Sequence, residues 1–353
     1  MGVVRNYLEA LQSRSISFRF LQAKLRDNDI DSAQSWPKLL HKHHNDPADP
    51  EVLAEWEAVL KAMYKNHVYY GDKAVAIFEV GIGEANALAQ ELSGLVAPDS
   101  PFSANFPLPL SGEELQRISS TPIPTRVVRR ASGHKRLVFG VKRYVRSRED
   151  VDITGYEESV REAFAGYDQL VGIRCGYVQG IDFVLINTDL GQLEVYVDTS
   201  AHVAGEDISR SLRYYENYFR DWATRILRTA DPLGRPKNFL PLVRTLYDAP
   251  DGCVISLGHS TATASLKDER MRRKNVDLRD EPFHLGGLAN VQNLTDVYSI
   301  TKTWPRGNGS LCPGANIPGH FSCIGTDPRS IEYAFITGCE DNNDFDSVMS
   351  KLS

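Results

Sequence analysis

Nowhere does the 353-residue chain hold an apolar run of the roughly 18 to 20 residues that a bilayer-spanning helix needs. Its start, MGVVRNYLEALQSRS, lacks the apolar centre of a secretory signal, so the expected location is cytoplasmic, with no membrane partner. Gly2 alone does not make a myristoylation site, because Asn6 stands where that signal requires Ser or Thr. Cysteine is scarce and odd in number. Cys175, Cys253, Cys312, Cys323 and Cys339 include no CxxC pair, which points away from a disulfide framework and toward buried reduced thiols. P-loop, GxSxG and HExxH signatures are missing, which leaves NTPase, α/β-hydrolase and zincin chemistry without support. A basic excess is missing too: 40 Lys and Arg face 46 Asp and Glu, a net charge of −6. That balance argues against general coating of nucleic acid, although net charge hides local patches.

With 42% hydrophobic and 24% charged residues the composition is that of a globular protein, and the length suits two or three domains. The expected class is α+β: a helical N-terminal region at 1–67, a core at 68–247 with a mainly antiparallel sheet and packed helices, and a loop-rich β region at 248–353. In the first region Leu8, Leu11, Phe18, Leu21 and Leu25 recur near helical spacing. Asp49-Pro50 then supplies a cap and a first-turn proline ahead of Val52, Trp56, Val59, Leu60 and Met63. Between them, His41, His43 and His44 match no standard zinc spacing and read as a solvated loop.

The clearest strand signals lie at Leu170 to Ser200, where Gly-bearing breaks separate runs at Leu170 to Cys175, Ile181 to Ile186 and Leu193 to Val197. They predict a three-stranded meander. Alternation puts Leu193, Val195 and Val197 on a core face and Glu194, Tyr196 and Asp198 on a wet one. After it, Ile208, Leu212, Tyr215, Phe219, Trp222 and Ile226 step by 4, 3, 4, 3 and 4, an amphipathic helix that fits across the meander's apolar face or against a partner chain.

Two stretches resemble known motifs. KAVAIFEV followed by Gly81-Ile82-Gly83 resembles the first motif of AdoMet-dependent methyltransferases, but Ala85 replaces the third glycine and a Pro/Ser-rich loop stands where the ribose-binding strand should end. A plain strand-turn-helix is the expectation there. Asp182 and Glu194 resemble the metal-holding carboxylates of a PD-(D/E)xK nuclease, which would bind Mg2+ beside a scissile phosphate. Tyr196 occupies the place of that motif's lysine, and solvated carboxylates are the ordinary reading. Asp198 near His202 suggests an acid-base pair without a nucleophile.

The most unusual charge distribution runs from Arg126 to Arg148. Arg126, Arg129, Arg130, Lys135, Arg136, Lys142, Arg143, Arg146 and Arg148 occur with no acid until Glu149. Interleaved Val, Leu, Phe and Tyr make this two strands about Ser132-Gly133, a basic hairpin. Such a ribbon suits nucleic-acid phosphates, a charged edge that resists aggregation, or an acidic protein partner. The leading expectation is a non-catalytic nucleic-acid-binding protein or nucleoprotein subunit, without a cofactor or metal, contacting DNA or RNA through these nine cations. The alternatives are a metal-dependent nuclease using Asp182 and Glu194, and an interaction subunit using the Ile208 to Ile226 helix toward a protein or a second copy.

Overall fold

The computed structural model describes residues 2–130, 133–200, 203, 205–261, 265–290, 296–306, 311–324 and 329–353, the side chains of residues 147, 149 and 174 excepted. Among them are twelve α-helices and ten strands, an α+β protein. None of these helices is long and apolar enough to cross a membrane.

Four helices open the chain: α1 (Val3–Ser13), α2 (Phe18–Arg26), α3 (Trp36–Lys42) and α4 (Pro50–Tyr70). Asp49 caps α4 by accepting from Glu51 N, with Pro50 in the first turn. Strand β1 (Lys73–Glu79) leads into α5 (Ile82–Glu91), α6 (Pro101–Asn105) and α7 (Gly112–Arg117), the last opened by a reciprocal Ser111/Glu114 capping box. Then come β2 (Ile123–Arg129), β3 (Lys135–Asp150), the short α8 (Glu158–Ala163), β4 (Val171–Asn187), β5 (Gln192–Asp198) and α9 (Gly205–Leu227). The remainder is α10 (Leu240–Asp248), β6 (Cys253–Ser260), β7 (Leu266–Arg270), α11 (Pro282–Asn290), β8 (Val297–Thr303), β9 (Gly314–Ile317), β10 (Ala334–Thr337) and α12 (Asn342–Leu352).

All ten strands join one antiparallel sheet in the order β2-β3-β4-β5-β1-β10-β9-β8-β6-β7. The segment 248–353 contributes five of them, and β1 joins the two halves by pairing β5 on one side and β10 on the other. One face is covered by α1 to α4, α10 and α12, which meet Val75, Ile77, Phe183, Leu185 and Tyr196. On the other, α5 and α9 cover Ala76, Phe139, Val184, Val195 and Val197. Ile208, Leu212, Tyr215, Phe219 and Trp222 of α9 are all buried there, as the stepping of the stripe predicts, so this surface is unavailable to a partner chain.

The meander is built differently from its expectation. Its first two runs form a single 17-residue strand, β4, paired without interruption to the 16-residue β3 from Lys135↔Ile186 to Asp150↔Val171. Glycine here makes room rather than a turn: a Cβ on Gly180 would lie 2.8 Å from Arg143 Nη1. The supposedly wet face of β5 is buried beneath the N-terminal helices, with Glu194 and Asp198 at most 3% exposed. One smaller expectation also changes. The five thiols are free, but only Cys323 and Cys339 are buried and Cys175 is exposed. Helix α12 is capped by Asp341, while Asp344 is buried and pairs with Arg306 at 2.6 Å.

The β1–α5 turn has no methyltransferase geometry, since β1 lies antiparallel to both neighbours and no parallel βαβ unit forms. Gly81 stands at φ +103°, and the packing demand of the turn falls on Gly191 across from it. Val80 N and Gly81 N both donate to Gly191 O, and a Cβ on Gly191, itself at φ +64°, would lie 2.6 Å from the Gly81 and Ile82 backbone. Gly191→Ala is therefore expected to destabilise the protein by at least about 2 kcal/mol from left-handed strain and backbone overlap. Gly176→Ala, where nothing lies within 4 Å of the new methyl group, stays within about 0.5 kcal/mol of wild type. Urea unfolding of the two variants checks the contrast.

Candidate functional site

The nine ribbon cations lack local acids but are not unopposed, because the fold brings partners from elsewhere. Arg136 is only 1% exposed, its guanidinium 4.2 Å from the Phe183 ring and 4.7 Å from Tyr69, and burial lowers its pKa. Arg143 is buried and donates to both Asp182 oxygens at 2.7 and 2.6 Å. Arg130 bonds Asp346 at 2.5 Å and also Asn342. Lys135 donates to Ala89 O, and Arg126 lies 3.8 Å above the Phe106 ring. Arg136 and Arg143 are structural and cannot reach a phosphate; Arg129, Arg146 and Arg148 are exposed.

Beyond the covered sheet, the far half of the β3–β4 pair stands as a two-stranded ribbon. Residues alternating on one side of it form a ladder of cations and rings. Lys142 Nζ sits 4.2 Å over Tyr177 and donates to Gln116 O and Ile118 O. Tyr177 meets its cross-strand partner Tyr144 edge-on at 5.9 Å, and Arg146 lies 5.5 Å over Tyr144. Arg148 pairs in register with Ile173, which is 63% exposed. The connecting segment 151–170 carries five acids against Arg161 alone. Here Thr154 bonds Asp152, Glu157 makes no side-chain cap, and α8 buries nothing.

Following Arg143 inward leads to a buried ion cluster that spans the sheet. Asp198 accepts from Arg14 Nη2 at 2.8 Å and Ile181 N at 2.9 Å, with Lys73 Nζ 3.3 Å away. That lysine contact is an ion pair without hydrogen-bond alignment, since Nζ makes no hydrogen bond. On the opposite face Asp182 accepts from Arg143, from Tyr215 OH at 2.9 Å and from Asp198 N at 2.8 Å. Burial alone would raise the Asp198 carboxyl, but Arg14, Lys73 and Arg143 hold it well below the carboxylate range. Burial pushes the Lys73 amine down to about 8.

No protein-family model and no curated protein sequence matches this chain.

The nuclease arrangement is not formed. Asp182 points to the α9 face, whereas Glu194, paired with Leu185, points to the α1–α4 face, so the two carboxylates cannot share a cation. Tyr196, in the place of the lysine, donates to Glu194 at 2.5 Å, and Asn187 donates at 3.1 Å. Burial raises the Glu194 pKa despite these two bonds. His202 lies outside the described residues, and the Asp198 carboxylate is already committed to Arg14 and Lys73. Separately, a cleft of about 550 Å3 lies between α2, α4 and the end of β10, bridged by the Lys24–Glu340 ion pair. His67 on its wall is held neutral by burial, with a pKa lowered to about 3.

One constellation escaped sequence reading altogether. His259 of β6, Glu269 of β7 and His284 of α11 meet, with Glu269 Oε1 2.8 Å from His259 Nε2 and 2.9 Å from His284 Nδ1. Tyr247 of α10 reaches the other nitrogen of His284 at 2.9 Å. Burial would raise the Glu269 pKa, but the two imidazole contacts bring it below its ordinary value. The residues are ten and fifteen apart on a strand, a neighbouring strand and a helix, a spacing with no recognised motif. The histidines that drew notice, His41, His43 and His44, do not converge in this way; His43 instead sits 4.2 Å from the Trp56 ring.

The charge cluster makes stability depend on pH with a definite sign. The folded Lys73 releases its proton at about 8, against 10.5 ordinarily, so between these values the unfolded chain binds more protons and stability rises with pH. Wild type is expected to gain on the order of 3 kcal/mol relative to Lys73→Met between pH 8 and 10.5. Denaturant unfolding of both proteins across that range measures the difference; parallel curves would contradict it.

Proposed function

We propose that this is a non-catalytic, cytoplasmic nucleic-acid-binding protein that engages single strands along the outer face of the β3–β4 ribbon. The observation supporting this reading is the alternation of Lys142, Tyr144, Arg146 and Arg148 with Tyr177 and Ile173 on one exposed face. Cations draw the phosphates, and tyrosine faces accept unstacked bases without regard to sequence. The site is thus smaller than the nine cations suggested, and the acids of 151–170 limit how far along the ribbon a strand lies.

Three phosphate contacts, from Lys142, Arg146 and Arg148, give an expected slope of about −2 for log affinity against log salt with a single strand. Fluorescence anisotropy with labelled oligonucleotides measures it. Arg146→Glu with Arg148→Glu is expected to abolish binding. Tyr177→Ala weakens it about tenfold or more while leaving the slope unchanged, because stacking carries no counterion release. Absence of salt-sensitive binding to any DNA or RNA would overturn the reading.

A second reading is favoured by one specific feature. Tyr156, Phe164 and Tyr167 are 40 to 68% exposed on the acidic segment beyond the ribbon, a surface suited to a protein partner with basic and apolar groups. Under that reading, affinity capture retains a protein that is lost on Tyr167→Glu with Phe164→Glu, and no oligonucleotide competes for it.

A further inference from the structure

The meeting of His259, Glu269 and His284 has the composition and reach of a metal centre. Their ligand atoms lie within 4.8 Å of one another, and among the described residues no other group of three His, Cys, Asp or Glu side chains converges so closely. Both histidines are buried and Glu269 is a fifth exposed, so the rings are fixed from within while the carboxylate faces outward. We propose that these three side chains bind one divalent transition ion, zinc being the best match to two imidazole nitrogens and one carboxylate.

Local architecture explains why they meet. Leu257 and Glu269 are paired across β6 and β7, and His259 is paired with Lys267, which makes His259 and Glu269 diagonal neighbours on one side of the hairpin. Helix α11 then delivers His284 to the same side, its backbone N–H donating to Glu281 Oε2 at 2.7 Å. Tyr247 supplies the outer support that ligating histidines commonly have. In the metal-free hydrogen-bonded state the carboxylate accepts from both rings, so His284 carries its proton on Nδ1 and accepts a hydrogen bond from the Tyr247 hydroxyl at Nε2. An ion displaces that Nδ1 proton, and the ring then donates from Nε2 to the same hydroxyl, which serves equally well as acceptor. At His259 the equivalent shift places the proton on Nδ1, buried without a partner among the described residues, and this weakens the centre relative to one with full support. Three protein ligands leave one tetrahedral position for water or an outside donor.

The simpler alternative is a hydrogen-bonded knot in which Glu269 ties two imidazoles together. Metal titration distinguishes them. The full-length protein, stripped with a chelator, is titrated with Zn2+ by calorimetry and with Co2+ by visible absorption. The expected result is a single ion per chain, a cobalt spectrum of four-coordinate type, and affinity that falls as pH drops because protons compete for the rings. Glu269→Gln and His284→Ala each lower affinity at least tenfold, Tyr247→Phe lowers it about tenfold through the lost ring support, and His44→Ala leaves it unchanged. If His284→Ala does not fold, the wild-type cobalt spectrum and the isosteric Glu269→Gln still decide. Failure of wild type to take up either ion, or equal uptake by Glu269→Gln, would overturn the proposal.

Discussion

A carboxylate at the end of β5 ties together parts of the molecule that share no sequence neighbourhood. Asp198 holds Arg14 from the α1–α2 connection and Lys73 from the start of β1, while its own backbone is gripped by Asp182 and Arg143 from strands on the other side. Tyr215 extends the same contacts into α9. Both helical layers are thereby referenced to one point in the sheet. Removing two carboxylates and three cations from water is expensive, and a lone member left behind would be destabilising by about 3 to 5 kcal/mol. The arrangement contributes a fixed register more than net stability: Asp198 has its ionic and hydrogen-bond partners only when β1, β4 and the first helices are all in their native places.

That cluster also explains why the sequence was misleading about its own charges. Arg143 belongs to a run of cations with no acid nearby in the chain, yet its acid is Asp182, on the strand that the ribbon turns back to form. Arg130 meets Asp346, 216 residues away. Periodicity reports which face a side chain occupies, and it served well for α9, whose stripe is buried as spaced, and for the capped start of α4. It does not report what covers that face. Glu194 and Asp198 alternate as residues of a half-wet strand should, and the four N-terminal helices close over them nevertheless.

Glycine produced the other misreading. In β4, Gly176 and Gly180 look like turn residues between short strands, and the chain instead runs straight through them because β3 offers an uninterrupted ladder and Arg143 needs the space above Gly180. The His259, Glu269 and His284 constellation was illegible for a different reason. Its members fall on three elements joined by a hairpin and a helix, so only tertiary geometry brings them together. The β2–β3 hairpin about Gly133, in contrast, could be read locally, but the pairing of the outer half of β3 with β4, and which cations face outward there, could not.

The position of β1 carries a consequence for how the chain reaches its fold. This strand emerges early, yet its final partner, β10, begins at Ala334, close to the last helix. Once residues 73–198 are made, β2 to β5 can assemble and β1 can seat against β5, but β1 then presents an unpaired edge until β10 has been made. Pairings so distant in sequence make for slow folding and a long interval in which backbone groups are open to the wrong partner. A chain that stops before Ala334 would keep this central edge exposed, so the segment 334–353 acts as the closure that completes the sheet on that side of β1.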